Sequence, residues 1–375
     1  MAIDCLILGP AYPYRGGIAD TNHAFAKELT KQGETTEIWT FTKLYPNIIF
    51  PGKTQFDQAD KEFSFKIVKK IHAYNPFSWE KISDEINSLA PKRVVFRYWT
   101  PLLAIAWGNI ANKLDESIKR IALVDNWTPH EPKPWDKILN HYFSDKMNLI
   151  TTLSESVHSE IISEVNIPVN KGFHPINDDL PEIISKKKAR ERLKLNQHLN
   201  YILFFGLIRS YKGVDLLIEA FKYLNQSNQA IKLLIVGEFY EDETLYKKLI
   251  QKLNLTNQIE ITNEFVSFEL ARDYFCAADL VVQPYKTATQ SGVTPVGYFY
   301  ETPLIVTDLE GLKTPIIKDK SGKVSSKNPK DIAKAIIELI QKENLELAQK
   351  NIRKSKTSYS WRSFTEQWIT FIKQN

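Results

Sequence analysis

The chain has 375 residues, which is too long for one ordinary domain and predicts two domains that each bury a core of their own. Hydrophobic residues make up 43% of the sequence and charged residues 25%, a composition typical of a folded protein and not of a largely disordered one. The 49 basic and 44 acidic residues leave a formal charge of +5, too mixed to indicate nucleic acid as a partner but compatible with anionic substrates or a membrane surface.

The two cysteines, Cys5 and Cys276, lie far apart within apolar segments, so we expect two buried thiols in a reducing compartment and neither a disulfide framework nor a zinc site. The N-terminal segment lacks a basic region followed by a long apolar run, and no window approaches the roughly 18 apolar residues of a membrane span. We therefore expect a soluble, cytoplasmic protein.

Short apolar runs alternate with amphipathic stretches and predict the strands and helices of a first domain over residues 1–175. The runs are DCLILG from Asp4, TEIWTF from Thr36, RVVFRYW from Arg93, RIALVDN from Arg120 and NLITTL from Asn148. Runs that are apolar throughout are typical of strands buried on both faces of a parallel sheet. The first domain is therefore predicted to be of the α/β class.

The alternation restarts after a linker-like stretch at residues 174–179 and predicts a second domain over residues 176–359. Its runs are YILFFGL from Tyr201, IKLLIVG from Ile231, IEIT from Ile259, LVVQPY from Leu280 and PLIVTD from Pro303. The second series repeats the first, so the sequence predicts two doubly wound, Rossmann-like parallel sheets. We expect the carboxyl ends of their strands to face one cleft, where ligands bind in such sheets.

Two glycines follow the first predicted strand, in the segment GPAYPYRGGIAD. Gly16 and Gly17 would let the backbone approach a ligand, and they would open a helix whose N-terminus attracts anions. A glycine-rich turn of this kind also serves the fold alone, and the segment does not match GxGxxG, which disfavours a dinucleotide site.

Two cations follow the first strand of the second domain, in the loop GLIRSYKG that runs from Gly206 to Gly213. Arg209 and Lys212 would lie at the carboxyl end of the strand, where they could neutralise a diphosphate. The alternative is a solvated basic turn.

Small, hydroxyl-bearing residues precede another predicted helix in the segment TATQSGVTP, with Thr289, Ser291 and Gly292 before Val293. Backbone N–H groups at such a helix start suit phosphate oxygens, although an N-cap serine serves the fold equally well.

A proline-rich loop, DNWTPHEPKPWD, follows the fourth strand of the first domain and carries Asp125, Asn126, His130 and Glu131. His130 could orient or deprotonate an acceptor hydroxyl, because a histidine titrates close to working pH. A structural histidine, with Glu131 paired to a lysine, is the alternative.

Together these segments resemble the GT-B fold glycosyltransferases, specifically the retaining enzymes of family 4 (glycosyl transferases group 1), over essentially the whole chain. The segments concerned are the GGIA turn, GLIRSYKG, IVGEFYED, NEFVSFELARDYFCAADLVVQPY, the SGV turn with ETPLIVTDLEGL, and the closing helix. That helix carries Trp361, Phe364, Trp368 and Phe371 as an apolar stripe. The resemblance implies that residues 360–375 cross back to the first domain.

Carried over by position, the resemblance implies a set of contacts to a nucleotide-sugar donor. They comprise Arg209 and Lys212 on the diphosphate beside Gly206, hydrogen bonds from Ser291, Gly292 and Val293, a facing wall at Gly16 and Gly17, a nucleobase border at Phe265 and Val266, and a sugar or acceptor contact at Glu238.

The sequence departs from the family pattern at several positions. The apolar residues Ala288 and Val296 replace a pair of glutamates eight positions apart, and Leu207 occupies the usual position of the donor-loop arginine. Asp125 and Asn126 stand close to the place of the family's histidine. We find no Asp-x-Asp metal motif, so we expect no metal, with the leaving diphosphate stabilised by fixed cations and helix dipoles.

The resemblance thus implies a retaining transferase that moves a sugar from a nucleoside-diphosphate donor to a saccharide or lipid-linked acceptor in envelope polysaccharide or glycolipid synthesis, without a cofactor. A non-catalytic sugar-nucleotide sensor and a sugar-nucleotide epimerase are the alternatives. Lysines 61, 66, 69 and 70, set among apolar residues, could make a peripheral membrane contact. A half-buried strand with a solvated lysine face is the alternative at that segment.

Overall fold

The structure, a computed structural model, describes residues 2–44, 55–57, 62–129, 132–177, 179–224 and 230–375. The chain divides into two compact units. The first comprises Met1–Pro175 with Ser360–Asn375, and the second comprises Ile176–Tyr359. Both cysteines are buried and carry free thiols, as the sequence predicts.

The first unit is built on a parallel sheet. Its strands are β1 (Cys5–Leu8), β2 (Thr36–Lys43), β3 (Lys66–His72), β4 (Arg93–Tyr98), β5 (Lys119–Val124), β6 (Leu149–Thr152) and β7 (Val169–Lys171). Over the described residues they are arranged in the order β3-β2-β1-β4-β5-β6-β7. Its first helices are α1 (Gly17–Lys31), α2 (Pro76–Leu89), α3 (Ala104–Asn112), α4 (Asp136–Ser144) and α5 (Glu155–Ile161).

The second unit repeats this plan. Its strands are β8 (Asn200–Phe205), β9 (Ile231–Val236), β10 (Ile259–Thr262), β11 (Leu280–Gln283), β12 (Leu304–Thr307) and β13 (Gly322–Ser325), in the order β10-β9-β8-β11-β12-β13 within the described ranges. Its helices are α6 (Lys186–Arg192), α7 (Val214–Leu224), α8 (Glu243–Lys252), α9 (Phe268–Ala277), α10 (Val293–Phe299), α11 (Glu310–Asp319), α12 (Pro329–Leu339) and α13 (Lys342–Ser355).

The predicted pair of doubly wound parallel sheets is confirmed. Central strands such as β1 and β8 follow the apolar runs because they are buried on both faces. The apolar runs do not mark β3, β7 or β13, which lie at the edges of their sheets and are only partly covered. β3 is a half-buried strand in which Lys66 and Lys69 are exposed and Lys70 is partly buried.

Each sheet has a topological switch point, where the strand order reverses direction. The reversal lies between β1 and β4 in the first unit and between β8 and β11 in the second. In open α/β sheets, ligands bind in the crevice outside the carboxyl ends of the strands at this point. The fold therefore places the loops that follow β1, β8 and β11 at the two ligand-binding edges.

The final helix, α14 (Trp361–Gln374), lies in the first unit and packs against α1. The ring of Phe25 on α1 contacts three aromatic rings of α14, with centroid distances of 5.9 Å to Trp361, 5.9 Å to Phe364 and 5.0 Å to Trp368. The predicted crossing of the final helix to the first domain is confirmed. No helix in the described parts of the chain is long and apolar enough to span a membrane.

We predict that Trp368→Ala lowers the free energy of unfolding of the first unit by about 3–5 kcal/mol, because Trp368 is fully buried against α1 and its removal leaves a cavity. Trp135→Ala is the matched control, since Trp135 is 54% exposed, and its cost should be about 0.5 kcal/mol or less. Urea unfolding followed by circular dichroism measures both. Equal losses for the two variants would contradict the packing of α14.

Candidate active site

The loop after β8 brings a glycine backbone and a lysine ammonium group together. Gly206 has a φ of +114°, and its N–H donates to the carbonyl of Val236 at 3.0 Å. A Cβ at this position would lie 3.3 Å from Nζ of Lys212. The backbone conformation favours glycine here, and a Cβ would displace the ammonium group by only a few tenths of an ångström.

Lys212 is partly buried, and its Nζ lies 5.1 Å from the centroid of the Tyr285 ring. It makes no ion pair with a carboxylate of the described residues. Burial lowers the pKa of Lys212 below its ordinary value, and the nearby charge of Arg209 acts in the same direction. A cation in this setting is stabilised by a bound anion.

Arg209 lies in a different environment although it belongs to the same loop. Its side chain is exposed, and its guanidinium carbon lies 5.0 Å from the centroid of the Tyr240 ring, which follows β9. This is the geometry of an exposed cation–π pair. The two predicted cations therefore differ, since Lys212 is enclosed by the site and Arg209 stands at its rim.

The segment after β11 forms the neighbouring wall. The hydroxyls of Tyr285 and Ser291 are within hydrogen-bond distance, at 3.2 Å, and Ser291 Oγ accepts a hydrogen bond from the N–H of Val293 at 3.2 Å. Burial raises the pKa of Tyr285 to about 12, so its hydroxyl keeps its proton at neutral pH. The N–H of Val293 is already bound to Ser291 and Val293 is buried, whereas Ser291 is partly exposed and Gly292 is exposed. Ser291 and Gly292 are therefore the more accessible of the predicted contacts.

An ion pair joins this wall to the loop after β8. Lys286 Nζ lies 2.6 Å from a carboxylate oxygen of Asp215 at the start of α7, and the Lys286 N–H donates to the carbonyl of Tyr211 at 2.6 Å. A side-chain bond and a main-chain bond thus hold the two loops against each other. This arrangement fixes the position of Lys212 between them.

The remaining predicted contacts of the second unit follow β9 and β10. Glu238 is 2% exposed, and its carbonyl accepts a hydrogen bond from Ile208 N–H at 2.9 Å. Phe265 is 50% exposed, while Val266 packs against the core of the unit. These residues follow strands of the same sheet as Lys212, at its carboxyl edge, and their contacts to a donor stay a prediction.

In the first unit, Gly16 and Gly17 form the start of α1. Gly16 has a φ of +115° and caps the helix without a side-chain hydrogen bond. Among the described residues, no atom other than those of the chain neighbours lies within 4 Å of the place that a Cβ would take at either glycine. The two residues stand at the switch point of their own sheet.

Asp125 is part of a buried ion pair. Its two carboxylate oxygens accept hydrogen bonds from Nε and Nη2 of Arg97, each at 2.6 Å, and Nη2 also donates to Thr21 on α1 at 3.1 Å. This bidentate geometry ties the ends of β4 and β5 to α1, so the structure gives Asp125 a positioning task. Asn126 is partly buried beside it. His130 and Glu131 lie outside the described residues.

Three residues of these sites were missed by sequence reasoning, namely Arg97, Tyr240 and Tyr285. Arg97 carried a usable signal, because a charged residue inside the apolar run RVVFRYW is typical of a buried ion pair. The described ranges contain no group of three or more His, Cys, Asp or Glu side chains that could hold a metal ion.

Residues 185–357 match the glycosyl transferases group 1 family. The match covers α6 to α13, including the Lys212 loop and the segment after β11. The chain is also 29% identical over 167 residues to an uncharacterized glycosyltransferase of Methanocaldococcus jannaschii, which is 43% of this chain and 44% of the relative. The chain thus spans less than half the length of that relative.

Solved structures extend the likeness in fold to both units. The sucrose-phosphate synthase of Thermosynechococcus elongatus has a TM-score of 0.80 at 16% identity, covering 99% of this chain and 98% of its own. HepE of Anabaena, solved in complex with UDP-glucose, has a TM-score of 0.73 at 12% identity, covering 99% of this chain and 100% of its own. The predicted GT-B fold is confirmed.

We predict that the affinity for a nucleoside diphosphate falls as pH rises through the lowered pKa of Lys212, because only the charged amine attracts the diphosphate. Lys212→Arg should keep its affinity over this range, since a guanidinium stays protonated. Isothermal titration calorimetry between about pH 7 and pH 10 compares the two proteins. Because both proteins are measured with the same nucleotide, a change in protonation of the nucleobase affects both pH profiles equally. Parallel pH profiles would contradict the prediction.

Proposed function

We propose that the chain transfers a sugar from a nucleoside-diphosphate sugar to a hydroxyl of a saccharide or lipid-linked acceptor, with retention of the anomeric configuration. The single observation that carries the donor part is the partly buried Lys212, which has no carboxylate partner among the described residues and lies at the switch point of the second sheet. The family match over the same residues supports glycosyl transfer as the reaction. The UDP-glucose complex of HepE supports this class of donor.

In the proposed reaction, the bond between the anomeric carbon and the diphosphate oxygen breaks, and a bond to the acceptor oxygen forms on the same face of the sugar. The acceptor hydroxyl gives its proton to the departing diphosphate. Negative charge grows on the diphosphate as the first bond breaks, and fixed cations stabilise it. Lys212 would bind this charge directly and Arg209 would bind it from the rim, in place of a divalent metal ion.

We further propose that the first unit carries the acceptor and that the product belongs to envelope polysaccharide or glycolipid synthesis. The support is the start of α1 at Gly16 and Gly17, beside which the described residues leave space, together with the sequence resemblance. Backbone N–H groups at the start of α1 could bind an anionic group of the acceptor. The ion pair of Arg97 with Asp125 would hold this helix start in position.

A sugar-nucleotide sensor is the second candidate, because Ala288 and Val296 replace the family's glutamates and pack partly against the core of the second unit.

Incubation with UDP-, GDP- and ADP-sugars and a membrane extract separates the candidates. A transferase releases the nucleoside diphosphate and labels a product only when extract is present, and turnover persists with a chelator. A sensor binds without turnover, while an epimerase isomerises the donor without acceptor. The anomeric configuration of the product, read by NMR, tests retention.

We predict that Lys212→Ala lowers both the affinity for the donor and kcat/KM by about 10- to 100-fold, the magnitude of a lost charge-assisted hydrogen bond. Binding of the nucleoside without phosphates should not change. Lys222→Ala, an exposed lysine on α7, is the matched control and should behave as wild type. If the two variants bind the donor equally well, the diphosphate assignment is wrong.

A further inference from the structure

Three helices of the first unit expose large apolar side chains around their first turns. At α2 these are Tyr74 and Phe77, which are 45% and 92% exposed. At α3 they are Leu102 and Ile105, which are 61% and 48% exposed, and at α4 they are Trp135 and Ile138, which are 54% and 70% exposed. We call these six residues the apolar band. Contiguous exposed apolar surface of this kind marks a binding surface.

Contacts between α2 and α3 show that their first turns lie at the same height. Ser83 Oγ donates to the carbonyl of Ile110 at 3.2 Å, and Asn87 Nδ2 donates to the carbonyl of Lys113 at 2.9 Å. The two helices therefore run in the same direction. Phe77 lies six residues before Ser83, and Ala104, the first residue of α3, lies six residues before Ile110. Phe77 is therefore level with the start of α3.

The contact between α3 and α4 extends this alignment. A Cβ on Gly108 would lie 2.4 Å from the ring of Tyr142, which marks the level at which the helices touch. Since α3 and α4 both follow strands of one parallel sheet, they run in the same direction, and one turn earlier Ile105 lies at the level of Ile138. Because adjacent helices pack 8–10 Å apart, the apolar band crosses about 20 Å at the carboxyl edge of the sheet.

The charges around the apolar band are mainly positive. Exposed lysines flank it at positions 43, 81, 133 and 137. Among the described carboxylates, only Glu164 pairs with one of them, Lys137, at 3.3 Å. Of the described carboxylates closest in sequence, Asp136 is buried and accepts from Lys133 N–H at 2.7 Å, and Glu80 pairs with Lys113. Asp84 is exposed and lies three residues after Lys81, and Glu131 lies outside the described residues. The surface thus combines an exposed tryptophan with lysines, a composition that favours the interface of an anionic bilayer.

We propose that the apolar band docks the first unit on an anionic lipid surface. Phe77, Trp135 and Ile138 enter the headgroup region, and the flanking lysines bind lipid phosphates. The inference stands on the described surface alone and does not require the proposed transferase activity. It places the contact at the carboxyl edge of the sheet, the same edge as the start of α1.

This surface differs from the lysine-rich segment that the sequence suggested. In β3, Lys66 pairs with Glu37 at 3.3 Å and Lys70 pairs with Glu85. The preceding Phe63 and Phe65 pack on each other and on His23 of α1. Lys61 lies outside the described residues. The β3 lysines are therefore partly neutralised, and Lys69→Ala serves as a control in the test.

The test is flotation of the full chain with phosphatidylcholine vesicles, with and without about 30% phosphatidylglycerol. Wild type should float with the anionic vesicles, and Trp135→Ser/Ile138→Ser should lower the partition coefficient by about tenfold or more. Phe77→Ser should lower it in the same direction. Lys133→Glu/Lys137→Glu should weaken binding chiefly at low salt.

Matched controls are Leu245→Ser/Leu347→Ser, which removes exposed leucines of the second unit, and Lys69→Ala. Both should float as wild type does. Lys212→Ala should also float normally, so failure of the donor proposal leaves this result intact. The substituted side chains of the apolar band, of the flanking lysines and of the leucine and Lys69 controls are exposed, and thermal unfolding checks that every variant folds.

Three outcomes overturn the proposal. The proposal is wrong if the wild-type protein does not bind anionic vesicles. It is also wrong if the band variants and the leucine control lose vesicle binding to the same extent. Concentration-dependent self-association in light scattering that Trp135→Ser/Ile138→Ser abolishes, without vesicle binding, assigns the band to a second copy of the chain instead.

Discussion

The charge of Lys212 is the physical constraint on which the proposed donor site depends. Its ammonium group is partly buried beside Tyr285 and has no carboxylate partner among the described residues. Burial and the charge of Arg209 both disfavour the protonated amine, and they lower its pKa. A bound anion reverses this cost, which is why a diphosphate is the ligand that the site favours. A neutral ligand would leave the cost in place.

The fold keeps this lysine in position through backbone geometry. The switch point between β8 and β11 puts two loops side by side, and the ion pair of Lys286 with Asp215 holds them together. The ammonium group lies beside Gly206, where a Cβ would come within 3.3 Å of it. In the first unit the ion pair of Arg97 with Asp125 has a comparable task, since it fixes the start of α1. Each sheet thus uses a charged pair to position the loop at its ligand-binding edge.

The sequence predicts the interior of the fold better than its edges. The run YILFFGL marks β8 because both faces of that strand are buried, whereas KIVKKIH in β3 alternates around exposed lysines at a sheet edge. Lys212 was predicted from its place after a strand. The ring of Tyr285, which lies beside this lysine, was not predicted. In a sequence, a tyrosine next to an apolar run is typical of a core residue, and only the structure shows where its ring lies. The catalytic role of Asp125 stays a prediction, and its pairing with Arg97 was not predicted, because the arginine comes from the neighbouring strand and the sequence does not show which residues face each other.

A crystal structure with a bound nucleoside diphosphate tests the account most directly. The account predicts a phosphate oxygen about 3 Å from Nζ of Lys212, with the diphosphate between the loops after β8 and β11. A second phosphate oxygen near Ser291 or Gly292 would agree with this placement. A diphosphate bound by other residues, with Lys212 making neither a direct nor a water-mediated contact, would contradict the central claim.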